Sequence, residues 1–216
     1  MLGSAAFFVN ANSSAFAPDS PTSYFCAKLA STISSRGSAI SSGCATFPLF
    51  FFCSRHTYQT DVDAGPTGML RNLIAQLLNL YPSFSLETMA EIERIDLNDT
   101  NELCRTLESL VDELPTDTTI FCIIDGVSAF ESRATYEKDF CIAVETLVGL
   151  AHGVNERAAT IKVLFASTSR SRLLQQHLDS AEMLILPETV PSAGSLTQSI
   201  WSNTVGSDVA HPGEGD

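Results

Sequence analysis

Three short, almost wholly apolar runs constrain this chain more than any other feature: PLFFFC at 48–53, TIFCII at 119–124 and IKVLFA at 161–166. A strand with one wet face alternates polar and apolar residues. Continuous apolar runs of this length belong in a parallel sheet whose two faces are both covered by helices. MLIL at 183–186 reads as a last strand of the same kind. Helical periodicity fills the intervals. Met69, Leu70, Leu73, Ile74, Leu77 and Leu78 share one face before Pro82, and Leu103, Leu107, Leu110, Val111 and Leu114 share another before Pro115. Asp99, with Glu102 three residues on, resembles a capping box opening that second helix. Phe140, Val144, Leu147, Val148 and Ala151 mark a third helix, and residues 172–178 a short fourth. Strands alternating with crossover-length helices predict an α/β fold, a parallel sheet flanked by helices on both faces.

With 216 residues and 44% hydrophobic content the chain can bury the core of one such domain. The pattern divides it into a Ser- and Ala-rich, poorly defined segment at 1–45, a core at 46–190, and a polar, acidic, Gly-bearing tail at 191–216 that reads as disordered. In the first segment, residues 24–33 form the one helical patch and residues 5–9 a short apolar stretch. A formal charge of -13 would repel nucleic-acid phosphates and anionic membrane surfaces, so neither partner is expected. No window approaches the ~18 uninterrupted apolar residues of a membrane span. The N-terminus lacks the positive region of a signal peptide. Six cysteines form no CxxC pair, and Cys53 and Cys122 sit within apolar runs as small hydrophobes, which suits a reducing compartment and a cytoplasmic protein.

In an open parallel sheet, ligands bind beyond the carboxyl ends of the strands, and Asp125 stands at such an end, followed by Gly126. A carboxylate there can hold Mg²⁺ that bridges the phosphates of a nucleotide; the plainer alternative is that Asp125 begins a turn. Past the run at 161–166 come Thr168, Ser169 and Arg170. They would share that edge of the sheet, where an arginine fork can reach a terminal phosphate or can simply start a helix.

The ordered segments FFFCSRH, GMLRNLIAQLL, TIFCIIDG, KVLFASTSR and MLILPE, spanning residues 47–188, resemble the NACHT-type STAND P-loop NTPases of filamentous fungi, described as having a nephrocystin-like N-terminal domain. The resemblance implies an ATP- or GTP-dependent signalling switch using Mg-ATP (or GTP). Asp125 would be the Walker B aspartate that carries the metal and takes part in catalysis, and Thr168, Ser169 and Arg170 the nucleotide sensor. It also implies protein partners, related STAND proteins or further copies of this chain. The strand that precedes the phosphate loop would lie centrally, between the strands ending at Ala166 and Leu186.

The departures are equally specific. GxxxxGK(S/T) should precede FFFCSRH by about thirty residues, and nothing before Phe47 matches; Gly37 and Gly43 are followed by Ser38 and Cys44. Ser128 and Ala129 replace the acidic pair that often follows the Walker B glycine, leaving Glu131 as the nearest carboxylate to activate water. Residues 5–9 could imitate the first strand, and the patch at 24–33 the helix after the loop. Two readings follow. One is a degenerate or fragmentary signalling module without ATPase activity. The other is an active switch whose phosphate loop is unorthodox, missing from the gene model or supplied by another chain.

Other constellations fail. Asp61 and Asp63 begin like a calcium loop, but Gly65, Pro66 and Asn72 occupy positions that need other residues. His56, His152, His177 and His211 show no metal-ligand spacing, and no GxSxG elbow is present.

Overall fold

The computed structural model describes residues 3–12, 20–37, 45–58, 60–153 and 159–186. Ser38, Gly43, Cys44, His211 and the acidic tail at 191–216, read above from the sequence, lie outside the described residues.

Among the described residues five strands form one sheet: β1 (Ala5–Asn10), β2 (Ala45–Phe52), β3 (Thr118–Asp125), β4 (Thr160–Ser167) and β5 (Met183–Ile185). Their order is β2-β3-β4-β1-β5 and every pairing is parallel. The four strands expected from the apolar runs are present within a few residues. From the poorly defined segment at 1–45, residues 5–9, read as a possible imitation of the first strand, fall within β1. β1 pairs with β4 from Ala5↔Lys162 to Asn10↔Ser167 and with β5 from Phe8↔Met183 to Asn10↔Ile185, so it fills the interior place expected for the strand before the phosphate loop. β1 was hard to read because it is short and its neighbours in sequence are Ser and Ala; its partners are more than a hundred residues away.

Among the described residues seven α-helices accompany the strands: α1 (Pro21–Gly37), α2 (Gly65–Leu80), α3 (Leu86–Ile92), α4 (Thr100–Asp112), α5 (Ser128–Glu131), α6 (Glu137–His152) and α7 (Leu174–His177). The pleat sorts each apolar run between two faces. Ile120, Cys122 and Ile124 of β3, Ile161, Val163 and Phe165 of β4, and Ala6 and Phe8 of β1 join the large core with α2, α4 and α6. Ile123 and Ala166 point the other way and pack with Cys26, Ala30 and Ile33 of α1. Both faces are therefore covered, one by three helices and the other by α1 among the described residues. On the α1 side Lys162 lies over the Phe121 ring at 5.6 Å, its stem shielding apolar surface that a helix would otherwise hide.

β2 is an edge strand, which is why it tolerates Pro48 in its interior: proline withholds one N–H from the ladder. Gln76 of α2 closes part of that edge. Its Oε1 accepts from the Phe50 N–H at 3.0 Å and its Nε2 donates to the Phe50 carbonyl at 2.8 Å, occupying groups that would otherwise invite another strand.

The expected capping box at Asp99 is half realised. The Asp99 side chain accepts from the N–H groups of Asn101 and Glu102, but the Glu102 carboxylate accepts from Asp96 N–H rather than Asp99 N–H. A tight turn brings Asp96 within reach, with its carbonyl taking the Asp99 N–H. α3 and α5 went unread because each is shorter than two full turns of periodicity.

Candidate functional site

The site lies where β3 ends, with β2 and β4 in register beside it: Asp125 pairs with Phe52 on one side and Ala166 on the other. Gly126 follows with φ +72°, and a Cβ there would sit 3.2 Å from Ser54 N, so only glycine turns the chain without strain or crowding. The turn is held by Gly126 N–H and Val127 N–H, which both donate to the Ala166 carbonyl.

Asp125 is 1% exposed. Burial pushes its carboxyl above the ordinary range, opposed by hydrogen bonds from Ser23, the Gly126 N–H and Cys26. The Ser23 hydroxyl donates to Asp125 Oδ2 at 2.6 Å, and Ser20 and Ser23 hydroxyls share a hydrogen bond of 2.9 Å. Cys26, one turn beyond Ser23, and Cys53 flank the carboxylate. Burial first, and the Asp125 charge second, push both thiols well above their usual value. They are inert neighbours, not nucleophiles.

Ser20, Ser23, Ser54, Asp125, Gly126, Ser128, Ala129 and Thr168 enclose a cavity of about 10 Å³, the room of a single water. Hydroxyls surround one carboxylate, and among the described residues no cationic side chain lines it. The Ser54 Oγ is buried there without a hydrogen-bond partner among the described residues.

Of the residues singled out from sequence, Asp125 and Thr168 meet in this cavity. Ser169 instead donates its N–H to Ser167 Oγ at 3.3 Å, and Arg170 is exposed at the end of the segment. Glu131 lies elsewhere: its carboxylate accepts from the Ser171 hydroxyl, from Arg172 N–H at 3.2 Å and from Leu173 N–H at 3.0 Å. Three donors make it a tie between α5 and the segment after β4. Ser20, Ser23, Cys26 and Ser54 were missed from sequence, although Ser-Pro at 20–21 is a helix-start signal and 20, 23 and 26 recur on one helical face.

The start of α1 decides what the site can hold. In P-loop proteins, free N–H groups at the first turn of the helix after the first strand cradle phosphates. Here Pro21 has no N–H, Ser23 N–H donates to Ser20 Oγ at 3.0 Å and Tyr24 N–H to the Ser20 carbonyl at 3.0 Å. The connection Ala11 to Ser20 contains no glycine and no lysine. The residues present therefore do not fit a magnesium nucleotide.

Strand order, the aspartate closing β3 and the helix that follows β1 define a P-loop-NTPase-like α/β module. The chain belongs to the nephrocystin 3 N-terminal family, whose model matches residues 20–170. The match opens at Ser20, so β1 and the glycine-free connection fall before it. No curated protein matches the sequence. Among solved structures it is similar to one described as "Structure of C. elegans PCH-2", with 14% identity and a TM-score of 0.26, over 76% of this chain and 42% of that one. The chain thus spans less than half of that protein. No described helix is long and apolar enough to cross a membrane.

Asp125 gives a pH prediction. Its folded-state value lies above the ordinary 3.8, so the native state holds this proton more tightly than the unfolded chain does. That contribution is fully present at acid pH and is lost as pH rises from 3.8 through the folded value. Asp125→Asn removes the buried charge while the Ser20–Ser23 hydroxyls can reverse their donor order to suit an amide. The variant is expected to melt above the native chain at pH 7, with the gap closing as pH falls toward 4 in a series of thermal scans. A lower melting temperature at pH 7 would show that the charge itself stabilises the fold.

Proposed function

We propose that this chain is a degenerate STAND (NACHT-like) signalling module that has kept the architecture of the nucleotide switch and lost nucleotide turnover. In this reading it works by binding proteins, related modules or further copies of itself. The single observation that carries it is the first turn of α1, where Pro21 offers no N–H and Ser20 Oγ takes that of Ser23. Asp125 stands where a Walker B aspartate would, with its Oδ2 accepting from the Ser23 hydroxyl at 2.6 Å. Glu131, the nearest candidate to activate water, is occupied by three donors from residues 171–173. Thr168 faces the cavity without Arg170, so no positive charge is supplied to a terminal phosphate from the lining.

Isothermal titration of the full chain with Mg-ATP and with Mg-GTP tests the reading. The expected Kd is weaker than about 100 µM, that is, less than ~5.5 kcal/mol of binding free energy, with hydrolysis no faster than in buffer. Tighter, Mg²⁺-dependent binding that Asp125→Ala abolishes would overturn it. That result would favour the second reading, an active ATP- or GTP-hydrolysing switch with an unorthodox phosphate loop.

A further inference from the structure

We propose that Cys141, Glu145 and His177 form a divalent-metal site for a zinc-class cation, with one coordination position left open to solvent. Cys141 and Glu145 stand four residues apart on α6 and so share one face, and α7 ends by delivering His177 to that face. The sequence gives no hint of this, since Cys141 and His177 are 36 residues apart and only the packing of α7 on α6 unites them.

The geometry is a triangle. Cys141 Sγ lies 3.5 Å from Glu145 Oε1 and 4.0 Å from His177 Nε2, and Nε2 lies 4.0 Å from Oε1. Around a tetrahedral zinc with bonds of 2.0–2.3 Å, neighbouring ligand atoms stand about 3.3–3.6 Å apart. Both distances from His177 Nε2 need to contract, by about 0.4 Å to the sulfur and about 0.7 Å to the carboxylate, and Glu145 is exposed. Two other histidine–carboxylate pairs among the described residues behave differently. His56 closes on Asp61 at 2.7 Å and His152 on Glu182 at 2.8 Å, as direct hydrogen-bonded pairs do. His177 Nε2 and Glu145 Oε1 stand 4.0 Å apart, with the Cys141 sulfur within 4.0 Å of both.

A nucleophile–histidine–acid array is excluded by the same geometry. There the acid would bind the ring nitrogen remote from the nucleophile, whereas Glu145 and Cys141 both address Nε2. A metal binds the Cys141 thiolate, so the thiol proton leaves to solvent as the cation binds. Thiolate with imidazole and carboxylate selects zinc over magnesium or calcium. Binding would pin α7 to α6. It would give the segment that carries Thr168 a second anchor besides Glu131.

The test is titration of Zn²⁺ into the chelator-stripped full chain, with Co²⁺ as a spectroscopic stand-in. One equivalent is expected to bind below about 1 µM, raising the melting temperature, and Co²⁺ should show a near-ultraviolet thiolate charge-transfer band. Cys141→Ser should remove the band, and Cys141→Ser or His177→Ala should weaken Zn²⁺ binding more than about 100-fold. The metal-free melting of both variants should stay close to native, because Cys141 and His177 are only partly buried. His56→Ala should leave binding intact. Binding weaker than 1 µM in the native chain, a band that survives Cys141→Ser, or binding lost in His56→Ala instead would each overturn the proposal.

Discussion

A chain beginning at Ser20 is expected to be recovered as aggregate, with no cooperative thermal transition, although it retains the whole segment matched by the family model. The deletion removes β1, which lies between β4 and β5 and pairs with both. β4 then presents a full row of unpaired backbone groups beside apolar residues, and β5 loses its strand partner. The loss of Phe8, 1% exposed, adds a cavity in the main core. Truncating one such phenylalanine costs about 3–5 kcal/mol, and a domain has only about 5–15 kcal/mol in all. Size-exclusion chromatography and thermal melting of the two chains side by side settle the matter. If the shortened chain runs as a monomer with the native melt, β1 is dispensable and this account of the sheet fails.

The second large effect is expected at Phe130. It is fully buried on α5, with ring centroids 6.2 Å from Phe51, 5.5 Å from Tyr136 and 5.7 Å from Phe140. Edge-on and tilted contacts of this kind add to the area it buries. Phe130→Ala should lower stability by about 3–5 kcal/mol, which for a chain of this size shifts the melting temperature by about 6–20 °C. Phe130→Leu should recover most of the loss, since it refills much of the cavity. A fall of less than about 3 °C in Phe130→Ala would show that the surrounding rings collapse into the space or that α5 is loosely held. Because Glu131 follows directly, the alanine variant should also loosen the Ser171–Leu173 segment, read as faster amide exchange there.

How far the sequence could be read depends on how local the physics is. The apolar runs at 119–124 and 161–166 announce themselves because a strand buried on both faces has no polar alternation to obscure it. Long helices such as α2 and α6 carry enough turns for their periodicity to show. Asp99 signals a cap, yet where Glu102 turns depends on Asp96 and the shape of the preceding turn. Residues 5–9 are a weaker case. Their composition permits a strand, but only pairing with β4 and β5 gives that strand its central place.

The candidate site divides in the same way. Asp125 was visible because a carboxylate ending an apolar run is a contrast along the chain, and the missing glycines and lysine were visible because a phosphate loop is a contiguous motif. That Ser23 bonds Asp125, 102 residues away, was not visible, since no chemistry in SPTS points to a partner so distant. Glu131 looked like the nearest carboxylate for catalysis by its position in the sequence; its three donors at 171–173 appear only once β4 and α5 are placed side by side. The sequence by itself determined the fold class, the strand that ends in Asp125 and the absence of GxxxxGK(S/T) before Phe47, all of which depend on neighbours within a few residues. Only the tertiary structure decided that β1 is interior, that Ser23 meets Asp125 and that Cys141, Glu145 and His177 lie side by side, because each rests on contacts between segments whose distance in the sequence carries no record of their meeting.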